Sequence, residues 1–289
     1  MARQLELATI LEQQQPARQI YRLRLRAPAI ASAGRAGQFV MIRINDGIDP
    51  LLRRPFSFHR IDREAGTFEI LYRVVGRGTR ELARKPPGAT LSCLGPLGNG
   101  FTLAGATSGQ PVALVAGGIG IAPLVQLMAE LAARIPRAES HRLMLFYGAR
   151  NAEELLPEST FEPFGCIVHT STDDGSQGFC GLVTQLLDQV TRNQDLTFSA
   201  LYACGTLAMQ YHVARWAEQR SIPAQLSLES LMACGLGACL GCALPAPHPN
   251  RPGADHYQHV CVNGPVFEPG SIRWDQIEPP PTPPTLVCN

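Results

Sequence analysis

The sequence predicts a three-part chain: an antiparallel β-barrel, an α/β unit on a parallel sheet, and a compact cysteine module. Three observations carry this. Short alternating apolar and polar runs, broken by Gly and Pro, fill residues 4–103. Strand, turn and helix patterns alternate from Pro111 to Gln219. Four cysteines, Cys234, Cys239, Cys242 and Cys261, crowd the last part. The expected boundaries are 1–104, 105–224 and 225–275, with a proline-rich tail over 276–289.

Strands are expected at 20–26, 38–44 and 67–75. In the first, apolar residues alternate with Arg22, Arg24 and Arg26, as a half-buried strand requires. Several such strands at close spacing indicate a closed antiparallel barrel. Within it, Arg54, Pro55, Phe56 and Ser57 set an arginine, a fixed φ and a hydroxyl in succession. That pattern suits a phosphate and a polar ring edge, or an ordinary strand start. Leu71, Tyr72 and Arg73 end the next strand, and Gly78 and Thr79 open a short helix whose N–H groups suit phosphate.

Residues 111–116 read as a buried strand. Gly117, Gly118 and Gly120 follow in a tight turn, then an apolar helix from Leu124 to about Arg134. This arrangement brings phosphate to a helix N-terminus, although the spacing is not G-x-G-x-x-G. Further strands at 142–147, 166–170 and 196–203 alternate with helices, which makes the sheet parallel. Ligands of such sheets bind at the carboxyl ends of the strands. Gly117, Gly118, Gly148, Asp174 and Cys204 all fall there. The alternative for Cys204 is a small buried apolar residue.

Cys234, Cys239 and Cys242 form a C-x4-C-x2-C run, and Cys261 follows an eighteen-residue spacer. This is the spacing of a plant-type [2Fe-2S] centre, in which each iron takes two thiolates. Gly235, Gly237 and Gly241 are expected to take positive φ and let the backbone close over the cluster. A four-cysteine zinc site is the alternative, but such sites pair two C-x2-C knuckles and only one is present. Cys93, Cys166, Cys180, Cys204 and Cys288 remain as single thiols.

Net charge is +1, yet 16 of 25 basic residues and only 8 of 24 acidic ones precede Leu103. A basic first third suits a bound anion such as a dinucleotide pyrophosphate, or a docking face. The arginines are dispersed along strands, which excludes a nucleic-acid patch. No apolar run reaches membrane-spanning length and no signal peptide is visible, so a soluble, cytoplasmic chain is expected.

Taken in order, these motifs resemble the ferredoxin–NADP reductase superfamily. Arg54 to Ser57 match its R-x-[YF]-S flavin motif, and Gly117 to Pro123 its GG-x-G-x-A-P nicotinamide loop. The whole set is most similar to the electron-transfer subunit of class 1B, NAD-dependent dihydroorotate dehydrogenase. The similarity lies in residues 53–57, 71–79, 173–176, 232–242 and 261–267. The resemblance implies FAD, NAD and a [2Fe-2S] cluster as cofactors. It implies that Arg54 bonds the FAD pyrophosphate, that Ser57 lies near flavin N5, and that Tyr72 and Arg73 flank the ribityl and phosphate groups. Gly78 and Thr79 would take the diphosphate, and Cys204 would lie near the nicotinamide C4. It further implies an FMN-containing catalytic subunit as partner, in a heterotetramer, with this chain passing electrons from dihydroorotate oxidation to NAD+. A reductase subunit serving ferredoxin, a hydrogenase or a sulfur reductase is the alternative. Thr206 stands where the family usually has proline, and the Pro/His-rich insert before Cys261 also departs from it.

Overall fold

The computed structural model describes residues 3–103, 109–251 and 253–277. Residues 278–289 of the expected tail, with Cys288, lie outside them. The first part is a closed six-stranded antiparallel barrel. Its strands are β1 (Gln4–Ala17), β2 (Ile20–Arg26), β3 (Phe39–Arg43), β4 (Arg54–Asp62), β5 (Thr67–Arg73) and β6 (Thr90–Leu97). Around the barrel they run β1-β2-β5-β4-β3-β6. Alternation explains the interior. Leu23 and Leu25 of β2 point in and are fully buried, while Arg22 and Arg24 point out. Two short helices, α1 (Pro28–Ala33) and α2 (Arg77–Leu82), fill the connections.

The second part is a seven-stranded sheet. It contains β7 (Val112–Gly117), β8 (Leu143–Ala149), β9 (Ile167–Thr172), β10 (Phe179–Cys180), β11 (Ala200–Cys204) and β12 (Ala224–Ser227), all parallel. Helices α3 (Ile121–Ala132), α4 (Val183–Asn193) and α5 (Leu207–Gln219) cover it. β7 is apolar throughout because both its faces are buried. Val112, Leu114 and Ala116 enter one core, and Ala113 and Val115 the other. Cys180 is disulfide-bonded, so it is not the single thiol expected.

The cysteine module adds a hairpin, β13 (Ala243–Pro245) with β14 (Tyr257–His259), and then β15 (Val266–Phe267). β15 joins the sheet antiparallel to β12, so the module is stitched into the second part. Phe39, Met41 and Leu97 of the barrel share one core with Cys242, Cys261 and Trp274. Asn99 ties the barrel to the same segment: its N–H donates to the Gly264 carbonyl at 2.6 Å and its side chain to the Asn263 carbonyl at 2.8 Å.

The barrel meets the sheet domain through α3. His59 is 2% exposed and its Nδ1 donates to the Ala122 carbonyl at 3.2 Å. The Ile61 N–H donates to Gln126 Oε1 at 2.8 Å. Burial pushes His59 down to about 4, more than the Ala122 carbonyl restores, and Arg22 and Arg60 add to the fall. A second close contact lies at the sheet's apex. A Cβ on Gly120 would overlap the Cys204 carbonyl oxygen and come within 2.6 Å of Gly205 N. No residue with a side chain fits there.

Two outcomes follow. An unfolded histidine titrates near 6.5, so between about 6.5 and 4 the unfolded chain binds a proton that His59 refuses. Stability therefore falls as pH drops through that window, by roughly 3 kcal/mol in all. Urea unfolding at a series of pH values should show this limb in the wild type and a flatter one in H59Q; equal slopes would contradict the assignment. Substitution G120A should cost about 1–3 kcal/mol, since the clash is with backbone. A wild-type denaturation midpoint for G120A would contradict the packing.

Candidate functional site

Two cavities open side by side between the barrel and the carboxyl ends of the sheet strands. The first holds about 340 Å³ and is walled on the barrel side by Arg54, Pro55, Phe56, Ser57 and Thr79. Register places the motif: Ser57 pairs with Phe39 and Phe56 with Val40 across β3 and β4. Phe56 turns into the barrel, which leaves Ser57 on the outer face. The neighbouring arginines divide. Arg53 is structural, its Nη2 donating to Ser92 Oγ at 2.9 Å. Arg54 faces the cavity and packs over Gly78, where a Cβ would come within 3.3 Å of Arg54 Nε.

Other predicted residues of this cavity are more committed. Thr79 Oγ1 accepts the N–H groups of Val75 and Gly76, at 3.0 and 3.1 Å, and so caps its own helix. Tyr72 is 2% exposed, stacked on Tyr21, with its hydroxyl on Gln13. Leu71 is buried where the barrel meets the sheet domain. Arg73 borders both cavities and donates to Glu154 Oε2 at 3.0 Å.

The second cavity holds about 430 Å³ and is lined by Gly117, Gly118, Gly120, Gly148, Arg150 and Asp173, among others. The same Glu154 also pairs with Arg150, so one carboxylate is shared between two guanidiniums. Burial raises the Glu154 carboxyl, but Arg150 and Arg73 outweigh it and hold it below its usual value. Of the two neighbouring acids, Asp173 lines the cavity and burial raises its carboxyl, with Asp174 adding. Asp174 folds onto its own loop, accepting from Ser176 N and Oγ at 2.9 and 2.6 Å. Asp173 lies in the 173–176 stretch, where nothing in the sequence distinguishes it from its neighbour.

Cys204 ends β11 between the cavities and borders the first. It is 2% exposed, and burial, with Glu229 adding, pushes its thiol up, so it stays protonated. Thr206 has φ −61, the value proline would impose, and its hydroxyl accepts the Met209 N–H. The departure at 206 thus leaves the turn shape intact. Glu229 borders both cavities. Its carboxyl opens onto the cleft, yet the crowded walls withdraw enough water to raise it. As a lone carboxylate outside any motif, it carried no sequence signal.

The segment after β12 walls the first cavity through Glu229 and Met232 and then enters the cysteine loop at Cys234. Gly235 and Gly237 have φ of +72° and +83°, as expected. Gly241 does not; Leu240 takes the left-handed turn instead, at +58°. Backbone donors and one close sulfur contact order the loop. Cys234 Sγ accepts the N–H groups of Leu236 and Cys239 at 3.3 and 3.4 Å. Cys242 and Cys261 Sγ stand 3.2 Å apart. Burial works against ionising Cys234, yet the backbone donors hold its thiol down at about 6. Burial pushes Cys261 up to about 12, with Cys242 adding. Among the described residues no three His, Cys, Asp or Glu side chains converge as on one ion. A single zinc would need all four sulfurs at about 2.3 Å from one point. Four cysteines in this spacing suit two irons with two thiolates each.

Comparison with known proteins agrees with this geometry. An FAD-binding oxidoreductase domain model matches residues 9–101, and an NAD-binding oxidoreductase domain model residues 114–215. The iron–sulfur cluster binding domain of dihydroorotate dehydrogenase B matches residues 229–273. The electron transfer subunit of dihydroorotate dehydrogenase B (NAD(+)) from Desulforamulus reducens is 39% identical over 88% of this chain and 93% of its own. The Bacillus caldolyticus subunit is 38% identical over 92% and 98%. Among solved structures, an NADH-dependent reduced ferredoxin-NADP oxidoreductase superposes with a TM-score of 0.79, at 27% identity, over 93% of this chain and 90% of that one. The ferredoxin reductase of carbazole 1,9a-dioxygenase, at 19% identity and a TM-score of 0.64, shares the fold over 77% of this chain and 68% of its own. With FAD-, NAD- and iron–sulfur-binding domains in this order, and relatives of this identity along nearly its whole length, the chain belongs to the family of electron transfer subunits of dihydroorotate dehydrogenase B.

Proposed function

We propose that this chain accepts electrons from an FMN-containing subunit that oxidises dihydroorotate to orotate, and delivers them to NAD+. One observation carries the reading: the segment that walls the first cavity runs directly into the cysteine loop, while Arg73, Ile119 and Glu229 line both that cavity and the nucleotide cavity. All three cofactor positions thus share walls.

When bound, FAD exchanges electrons singly or in pairs, which matches a nicotinamide's hydride to a cluster's single electron. The residues have separate tasks in this reading. Arg54, over Gly78, supplies positive charge for the FAD pyrophosphate, and Pro55 and Phe56 hold Ser57 at the cavity face. Gly117, Gly118 and Gly120 bare their backbone to the NAD phosphates at the head of α3. Asp173 rather than Asp174 faces the nucleotide, and the relatives named for NAD(+) support NAD over NADP. Cys204 stays neutral and shapes the wall between nicotinamide and flavin. Cys234 with Cys239, and Cys242 with Cys261, hold the two irons.

We infer a cytoplasmic complex with two copies of each subunit. No helix among the described residues is long and apolar enough to cross a membrane. A ferredoxin-linked reductase is the second reading, favoured by the 0.79 TM-score of the ferredoxin-NADP oxidoreductase.

The test uses the complex purified anaerobically with its partner. Dihydroorotate and NAD+ should yield NADH, and substitution C261S in this chain should abolish that yield together with the cluster's visible absorbance. No NADH from an intact complex whose flavin NADH still bleaches would favour the second reading.

A further inference from the structure

Past the last rungs that join β11 to β7 and β12, the sheet no longer satisfies its own carbonyls. Gln210 on α5 takes two of them. Its Nε2 donates to the Gly205 carbonyl at 3.1 Å and to the Ser227 carbonyl at 2.7 Å. Gln210 is fully buried, at 0% exposure. Its Oε1 has no partner among the described residues, so the two donated bonds alone fix the amide. Gly205 borders the nucleotide cavity and Ser227 the flavin-side cavity. Gln210 borders neither. It therefore sits behind the common wall and ties its two halves together.

We propose that Gln210 is a positioning residue for hydride transfer: its amide pins the Cys204–Gly205 turn to the Ser227–Glu229 segment and so sets the spacing between the nicotinamide and flavin cavities. This rests on the cofactor reading above. With both cofactors bound, the C–H bond broken at the nicotinamide would be matched by an N–H bond formed on the flavin, the hydrogen moving with its electron pair, so that NADH becomes NAD+ and the flavin gains two electrons. Such a step is sensitive to separation, and a displacement of about 1 Å can lower a rate by about 100-fold. Removing the two donors also leaves two buried carbonyls without partners. Relaxation of the turn is the expected response, because Gly205 has no side chain to resist it.

The experiment compares wild type, Q210M and Q210L in the complete, cofactor-loaded complex. Rapid-mixing measurement of flavin bleaching by saturating NADH should show a fall of about tenfold or more in either variant. The deuterium isotope effect with 4-deuterated NADH should rise, and the NADH concentration giving half-maximal rate should change less than about twofold if binding is spared. Hydrogen exchange without NADH should increase in peptides covering 204–207 and 227–229 and nowhere else. Unchanged bleaching rate and isotope effect in a folded variant would overturn the proposal. So would a rate loss matched by lost FAD and exchange raised throughout the chain, since that is a general structural defect. If wild type itself is not bleached by NADH, the cofactor reading fails instead.

Discussion

Two backbone turns meet at the sheet's apex with no side chain between them, and the positions of both cavities depend on that contact. Gly120 lies against the Cys204 carbonyl and Gly205 N, and Gly117 against Met209 and Gly205. A β-carbon on Gly120 would push β7 and β11 apart at their carboxyl ends, whereas one on Gly117 would meet the Met209 thioether. The nucleotide cavity would lose its floor and Cys204 its place in the wall. Closure of backbone on backbone also leaves strand-end carbonyls that no ladder can reach. Gln210 takes over two of these carbonyls, and the Thr206 hydroxyl accepts the Met209 N–H at the start of α5.

Around this contact the three parts form one body because their cores are shared. Ile20 and Leu71 of the barrel enter the core beneath α3, and Met41 and Leu97 enter the core that also buries Cys242 and Cys261. The iron-binding loop therefore rests on the outside of the barrel. A Cβ on Gly235 would come within 2.6 Å of Met41 Cγ. Charge follows the same economy of position. One carboxylate, Glu154, holds Arg73 from the barrel and Arg150 from the nucleotide domain, and so joins the two electrostatically as well as by packing.

Much of this was legible in the sequence because it is written in local spacing. The C-x4-C-x2-C run, the glycine turn after β7 and the alternation of β2 need only neighbours along the chain. Residues 20–26 form a strand with the expected limits. Long-range features were not legible. Glu229 matters through two cavities that only the fold creates. Asp173 and Asp174 are equivalent in sequence and are separated by a turn in which Ser176 captures the second. Gln210 looks like any polar helix residue until β11 and β12 end beneath it. Leu240 takes the left-handed turn expected of Gly241, because loop closure rather than residue preference sets φ there.

The central claim is that one chain links a two-electron carrier to a one-electron centre. The most direct measurement is an anaerobic titration of the cofactor-loaded chain with NADH, following flavin absorbance and the electron paramagnetic resonance of a reduced [2Fe-2S] cluster. Bleaching of the flavin together with growth of the cluster signal is the predicted result. Bleaching with four-cysteine zinc in place of iron, or a cluster that stays oxidised while the flavin is fully reduced, would contradict it.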